Sequence, residues 1–185
     1  MKNYELVLML KVSITEAERK ALLSEIESKY KVLDKDEMWI KELCYTLKWW
    51  VKQAYFVSYS MELSVDDIAD LKKSLLYNPI LIHYEIFARD ANQDFFHFDK
   101  LQANFEKTID DIKDRKFGQK VTFFSKAENA KYLNWKSVSI LKYYQTRFGD
   151  IKPRLYTWNS IGTQKALRKE IIRARTLGLL PFINH

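Results

Sequence analysis

No glycine precedes Gly118 and only one cysteine, Cys44, occurs in the 185-residue chain. One thiol cannot close an internal disulfide, which excludes a disulfide-stapled scaffold, and Cys44 with three scattered histidines does not make a zinc site. A reducing cytoplasm is the compartment that fits. No apolar run approaches the roughly 20 residues that span a bilayer, and the N-terminus lacks the basic, apolar, small-residue order of a signal peptide. A soluble chain with no membrane partner is expected. What is present is ample for folding: 47% of the residues are hydrophobic and 15% aromatic, enough to build a core.

Acidic residues are scarce in one part of the chain only. Residues 1–114 hold 16 Lys+Arg against 21 Asp+Glu, whereas residues 115–185 hold 15 against 3. The net charge of +7 is therefore −5 followed by +12. A division of this kind suggests two modules, the second built to meet a polyanion. Turn residues divide the same way, since Gly118, Gly149, Gly162, Gly178, Pro153 and Pro181 all lie in the basic part.

The first ninety residues alternate between two periodicities. Tyr4, Leu6, Leu8 and Leu10 share one face of a strand. Thr15-Glu16-Ala17-Glu18 has the pattern in which a hydroxyl and a carboxylate satisfy the free N–H groups of a helix start, and Leu22, Leu23, Ile26 and Tyr30 then form an apolar stripe. Strands are predicted over residues 38–48 and 54–63. Ser64-Val65-Asp66-Asp67 opens a second capped helix with Ile68, Leu71, Leu75 and Leu76, stopped by Asn78-Pro79. Ile80, Ile82, Tyr84 and Ile86 mark a fourth strand. The order βαββαβ predicts an α+β fold, the ferredoxin-like plait with both helices on one face of an antiparallel sheet.

Residues 91–114 read as an acidic, partly helical connector. Leu101, Phe105, Ile109 and Ile112 are spaced as on a helix, either a solvated spacer or one docked on a neighbouring surface. Phe95, Phe96 and Phe98 are too apolar for a free tether, so burial is expected for some. Residues 115–185 read as a small, basic, mainly helical domain. Asn134 can cap a helix carrying Val138, Leu141 and Tyr144, with Gly149 as its stop. A second helix is predicted over residues 162–178, with Leu167, Ile171, Ala174 and Leu177 on one side and Lys165, Arg168, Lys169, Arg173 and Arg175 on the rest.

Between Lys131 and Arg175, basic side chains alternate with Tyr132, Trp135, Tyr143, Tyr144, Phe148, Tyr156 and Trp158. Cations neutralise phosphates and release counterions, and flat rings can stack on exposed bases, which together favour RNA. Taken singly, each ring reads more simply as core. The +12 excess does not, because self-repulsion of that size disfavours a compact fold unless a polyanion balances it.

The run Ile151-Lys152-Pro153-Arg154 through Thr157 to Gln164, then Arg173-Ala174-Arg175-Thr176-Leu177-Gly178-Leu179-Leu180-Pro181-Phe182, resembles bacterial small-subunit ribosomal protein eighteen. Upstream, Trp135-Lys136-Ser137 resembles that family's helix start, so the likeness covers about residues 132–182. Residues 1–90 resemble small-subunit ribosomal protein six: Met1-Lys2-Asn3-Tyr4-Glu5 looks like its opening, and Lys41-Glu42-Leu43-Cys44-Tyr45-Thr46-Leu47 and Ala54-Tyr55-Phe56-Val57 continue the match. The two families pair on the platform of the small subunit, so the chain looks like a natural fusion of them. A tether keeps such partners at high effective concentration.

The resemblance implies a structural protein that binds the central domain of small-subunit ribosomal RNA, with proteins eleven and fifteen as neighbours and the two modules paired within the chain. It implies Lys152, Arg154, Lys165, Arg168, Lys169, Arg173 and Arg175 as phosphate contacts. The chain also departs from the pattern: Leu155, Tyr156 and Ile172 stand at basic positions, Trp158 at the turn glycine, Lys165 at an arginine, Glu42 at a basic residue and Thr46 at a proline. Tyr156 and Trp158 are candidates for stacking on a base or for packing against a neighbouring protein.

Enzymatic readings find no support in the residues. Phosphatases on this plait cradle an anion in a glycine-bearing loop that the first module lacks. Cys44 lies among apolar strand residues, where a small buried thiol is the ordinary case, and His83 is expected on the other side of the sheet from Ile82 and Tyr84. No cofactor, metal or small-molecule substrate is expected. The alternative to a ribosomal protein is a free RNA-binding regulator of messenger RNA.

Overall fold

The computed structural model describes residues 2–47, 50–89, 94–102, 108 and 122–183. Its two compact units are Met1–Phe95 and Phe96–His185. In the first, β1 (Lys2–Leu10), α1 (Glu16–Lys29), β2 (Val32–Leu47), β3 (Val51–Leu63), α2 (Val65–Leu76) and β4 (Leu81–Ala88) follow one another. Strand order in the sheet is β2-β3-β1-β4, every neighbouring pair antiparallel. This is the ferredoxin-like plait that the βαββαβ order predicts.

Local chemistry places both helices. Thr15 Oγ1 accepts the Glu18 N–H at 3.3 Å while the Glu18 carboxylate accepts the Thr15 N–H at 3.2 Å. Ser64 and Asp67 repeat the exchange at 3.2 and 2.8 Å, so each start satisfies donors that a bare terminus leaves unpaired. Both stripes then close over one face: Leu22, Leu23, Ile26, Tyr30, Leu71 and Leu75 share a core with Leu6, Leu8, Leu10, Tyr55, Val57, Tyr59 and Met61.

β2 and β3 run longer than the alternation suggests. Register shifts between Val32 and Asp34 and between Glu37 and Trp39 interrupt the two-residue period, and Trp39 takes a φ of 58°. The polar residues of β2 pair with one another and with α1 and β3: the Lys35 ammonium lies 2.8 Å from Glu37 and 3.0 Å from Glu27 of α1, while Tyr59 and Tyr55 hydroxyls donate to Glu27 and Glu37 at 2.9 and 2.8 Å. Cys44 corrects an expectation. It is exposed, because the outer half of β2 buries Leu43, Tyr45 and Leu47 only in part and turns Cys44 outward. His83 alternates with Tyr84, which packs against the helix-covered core, as expected, and Glu85 Oε1 lies 3.1 Å from His83 Nε2.

In the second unit, α3 (Phe98–Gln102) buries Phe98 and Leu101. Phe105, Ile109 and Ile112 of the expected connector helix lie outside the described residues. Short 3-10 turns at Phe123–Ser125 and Ala127–Tyr132 precede α4 (Val138–Tyr143), α5 (Arg154–Thr157) and α6 (Ile161–Thr176). Trp135, Ile140, Leu141, Leu167, Ile171, Ala174 and Leu177 are buried, and α4 packs against α6. Two local readings change. Asn134 accepts the Lys136 N–H at 3.1 Å and its carbonyl takes the Ser137 N–H at 3.0 Å, making a turn one step before the helix, whose cap position is Ser137. Gly149 ends no helix: with φ 95° it forms the tip of a turn closed by the Gln145–Ile151 bridge. No helix among the described residues is long and apolar enough to cross a membrane.

Candidate nucleic-acid interface

α6 organises the interface. Ser160 caps its start, the hydroxyl accepting the Thr163 N–H at 3.1 Å. Its end closes through two bonds, Gly178 N–H to the Arg175 carbonyl and Leu179 N–H to the Ala174 carbonyl, both 2.9 Å, with Gly178 at φ 71°. Between these ends one side presents Leu167, Ile171 and Ala174 to the core, so a turn of about 100° per residue leaves Ile161, Gln164, Lys165, Arg168, Ile172 and Arg175 in a stripe on another side.

The segment before α6 lies along that stripe, and Gln164 fastens it there. Gln164 Nε2 donates to the Lys152 carbonyl at 2.9 Å, and its Oε1 accepts from Thr157 Oγ1 at 3.0 Å and Asn159 Nδ2 at 3.1 Å. Arg154 Nε donates to the Asn159 carbonyl at 3.1 Å. Lys152 Nζ donates to the Tyr143 carbonyl at 2.6 Å and stands 4.4 Å from the centre of the Tyr143 ring. Arg175 donates through Nη2 to the Gly149 carbonyl.

The result is an open groove of about 740 Å³ lined by Lys152, Arg154, Lys165, Arg168 and Arg175 and, among the described residues, by one carboxylate, Asp150. Burial pushes the Arg175 guanidinium below its ordinary range and the Asp150 charge raises it, but an arginine stays protonated at neutral pH. Five cations around one hollow, Lys152, Arg154 and Arg175 held by hydrogen bonds, are a receptor for closely spaced anions such as the phosphates of a nucleic-acid strand.

Two expected contacts lie apart from the groove. Lys169 is exposed on the next turn face of α6. Arg173 is turned inward, 7% exposed, with Nη1 2.9 Å from Glu170 Oε1, and Glu170, 4% exposed, also accepts the Trp135 N–H at 3.1 Å. Five residues from Arg168 amount to about 140° of helix rotation, which carries Arg173 off the cationic stripe and beside the core. Tyr156 and Trp158 border the segment and are 78% and 58% exposed. Gln164 is the residue whose structural part is largest relative to its signal in the sequence. In the sequence it stood only as one residue of the run that resembles ribosomal protein eighteen, with no part assigned to it.

Among the described residues, no group of three or more His, Cys, Asp or Glu side chains is arranged to hold a metal ion.

Ribosomal protein S6 of Thermotoga maritima aligns over 57% of this chain and 96% of its own, at 16% identity and a TM-score of 0.44. Small ribosomal subunit protein bS18 of Mycoplasma capricolum is 41% identical over 72 residues, 39% of this chain and 95% of that protein. The bS18 of Borreliella afzelii is 35% identical over 95 residues, 51% of this chain and 94% of the relative. The family model of Ribosomal protein S18 matches residues 129–180, the stretch that builds α4, α5, α6 and the groove. Through this second unit, which covers nearly the whole length of those relatives, the chain belongs to the small ribosomal subunit protein bS18 family.

Proposed function

We propose that the chain is a structural constituent of the small ribosomal subunit, a protein-six-like plait joined to an S18 domain, which binds the central domain of small-subunit ribosomal RNA at the platform. Its mechanism is binding, with no chemical step. The observation that carries this reading is the groove: Lys152, Arg154, Lys165, Arg168 and Arg175 converge within the stretch that matches the S18 family. Lys169 adds charge beside it. Arg173 contributes by keeping α6 seated through Glu170. Proteins eleven and fifteen of the same subunit are the chain's neighbours.

Sedimentation of cell extracts tests the reading. The chain is expected to travel in one-to-one ratio with the small subunit and to stay there through a salt wash. Substoichiometric recovery in light fractions would replace the ribosomal role with that of a free RNA-binding regulator.

A further inference from the structure

Most exposed rings of the second unit are already engaged. Tyr143, Phe148 and Phe182 carry Lys152, Arg147 and Arg175 at 4.4, 5.4 and 5.7 Å from their ring centres. Phe123, Phe124, Tyr132, Trp135 and Tyr144 are buried. Tyr156 and Trp158 are different. Among the described residues neither ring meets another ring or a cation, and both follow Arg154 of the cationic groove within four residues of chain, with the Trp158 N–H bonded to the Arg154 carbonyl.

The backbone under Trp158 is unusual too. It ends α5 in the left-handed conformation, φ 57° and ψ 14°, which a bulky side chain seldom adopts and glycine takes freely. Its N–H bonds to the Arg154 carbonyl at 2.8 Å, and Asn159 beside it is buried and tied to Gln164. The turn is therefore rigid, and an indole is held out to solvent from a position that would be less strained with no side chain. More than half of Trp158 stays in solvent.

We propose that Trp158 and Tyr156 form a stacking platform for unpaired nucleobases, while Lys152, Arg154 and Lys165 in the adjoining groove hold the phosphates of the same strand. The inference rests on the RNA-binding reading above and narrows it to single-stranded or looped RNA. Every base offers a flat face to an aromatic ring, and the neighbouring cations supply the sequence-independent charge. A paired A-form helix hides its base faces within the stack, so the platform discriminates in favour of unpaired nucleotides. In this chain, stacking takes the place of the basic side chains that the resemblance leads one to expect at positions 155 and 156.

The test uses the full chain and two probes, a short oligoadenylate RNA and inorganic polyphosphate, with binding followed by anisotropy or competition at several salt concentrations. The variant combines Tyr156→Ala with Trp158→Gly, and glycine suits the φ at 158, so folding is retained. Oligoadenylate affinity is expected to fall about tenfold or more, since ring-to-base stacking commonly contributes that much, while polyphosphate affinity stays unchanged. Trp158→Phe in an otherwise unchanged chain should keep most of the oligoadenylate affinity. Unchanged oligoadenylate binding by the double variant, or equal losses on both probes, would overturn the platform and leave the groove standing. If the unmodified chain binds neither probe at low salt, the RNA-binding reading itself falls.

Discussion

Arg168 and Arg173 sit on the same helix and do opposite work. Arg168 lines the groove, whereas Arg173 is enclosed with Glu170, which in turn holds the Trp135 backbone. A buried ion pair broken on one side leaves an uncompensated charge, a loss of about 3–5 kcal/mol. Arg173→Ala is therefore expected to lower the stability of the second unit, seen as a lower urea midpoint, while leaving the dependence of RNA affinity on salt almost unchanged. Lys165→Ala with Arg168→Ala should do the reverse. Each phosphate contact adds about −0.7 to the slope of log K against log salt on single strands, so losing two flattens the line for oligoadenylate by roughly 1.4. Equal slopes for this double variant and the parent would remove both side chains from the interface.

At the scale of the element, α6 holds one glycine and is closed by another, with opposite prospects. Gly178 closes the helix at φ 71°, where any L side chain is strained, and two N–H groups depend on that geometry. Gly178→Ala is expected to cost about 1–2 kcal/mol. Gly162 lies in the first turn of α6, and a methyl group there would meet nothing nearer than Ser160 Oγ at 4.0 Å. Gly162→Ala should stabilise the unit by about 0.5–1 kcal/mol, because the unfolded chain loses freedom that the helix never used. Thermal unfolding of the two variants reads both signs, and a lower melting temperature for Gly162→Ala would contradict the open surroundings of that position.

At the scale of the whole molecule the charge division has a pH consequence. The hydrogen bonds from Lys20, Lys35, Lys31 and Ser64 hold Glu16, Glu37, Glu62 and Asp67, all in the first unit, below their ordinary carboxylate range. A carboxylate whose folded pKa is depressed contributes stability above its unfolded value and loses it as pH falls through the folded one. Residues 1–114 also hold 21 of the 24 acidic side chains, so protonation swings their charge far more than that of residues 115–185. Urea unfolding between pH 7 and about pH 3 is expected to show the first unit weakening from about pH 4.5 downward, the ordinary range of Asp and Glu. An acid-insensitive first unit would show that these pairs do not bear on its stability. Much of this molecule was legible in residue order alone. The plait followed from the two capped helices and the alternating strands, because caps and periodicity are local properties that act before any long-range contact forms. The cationic character of residues 115–185 was likewise a matter of counting. The bulges that lengthen β2, the outward turn of Cys44, the inward turn of Arg173 and the fastening of the 152–159 segment by Gln164 were decided only in three dimensions. Each depends on what a side chain meets across the fold, and residues distant in the chain supply those partners only once the backbone has closed.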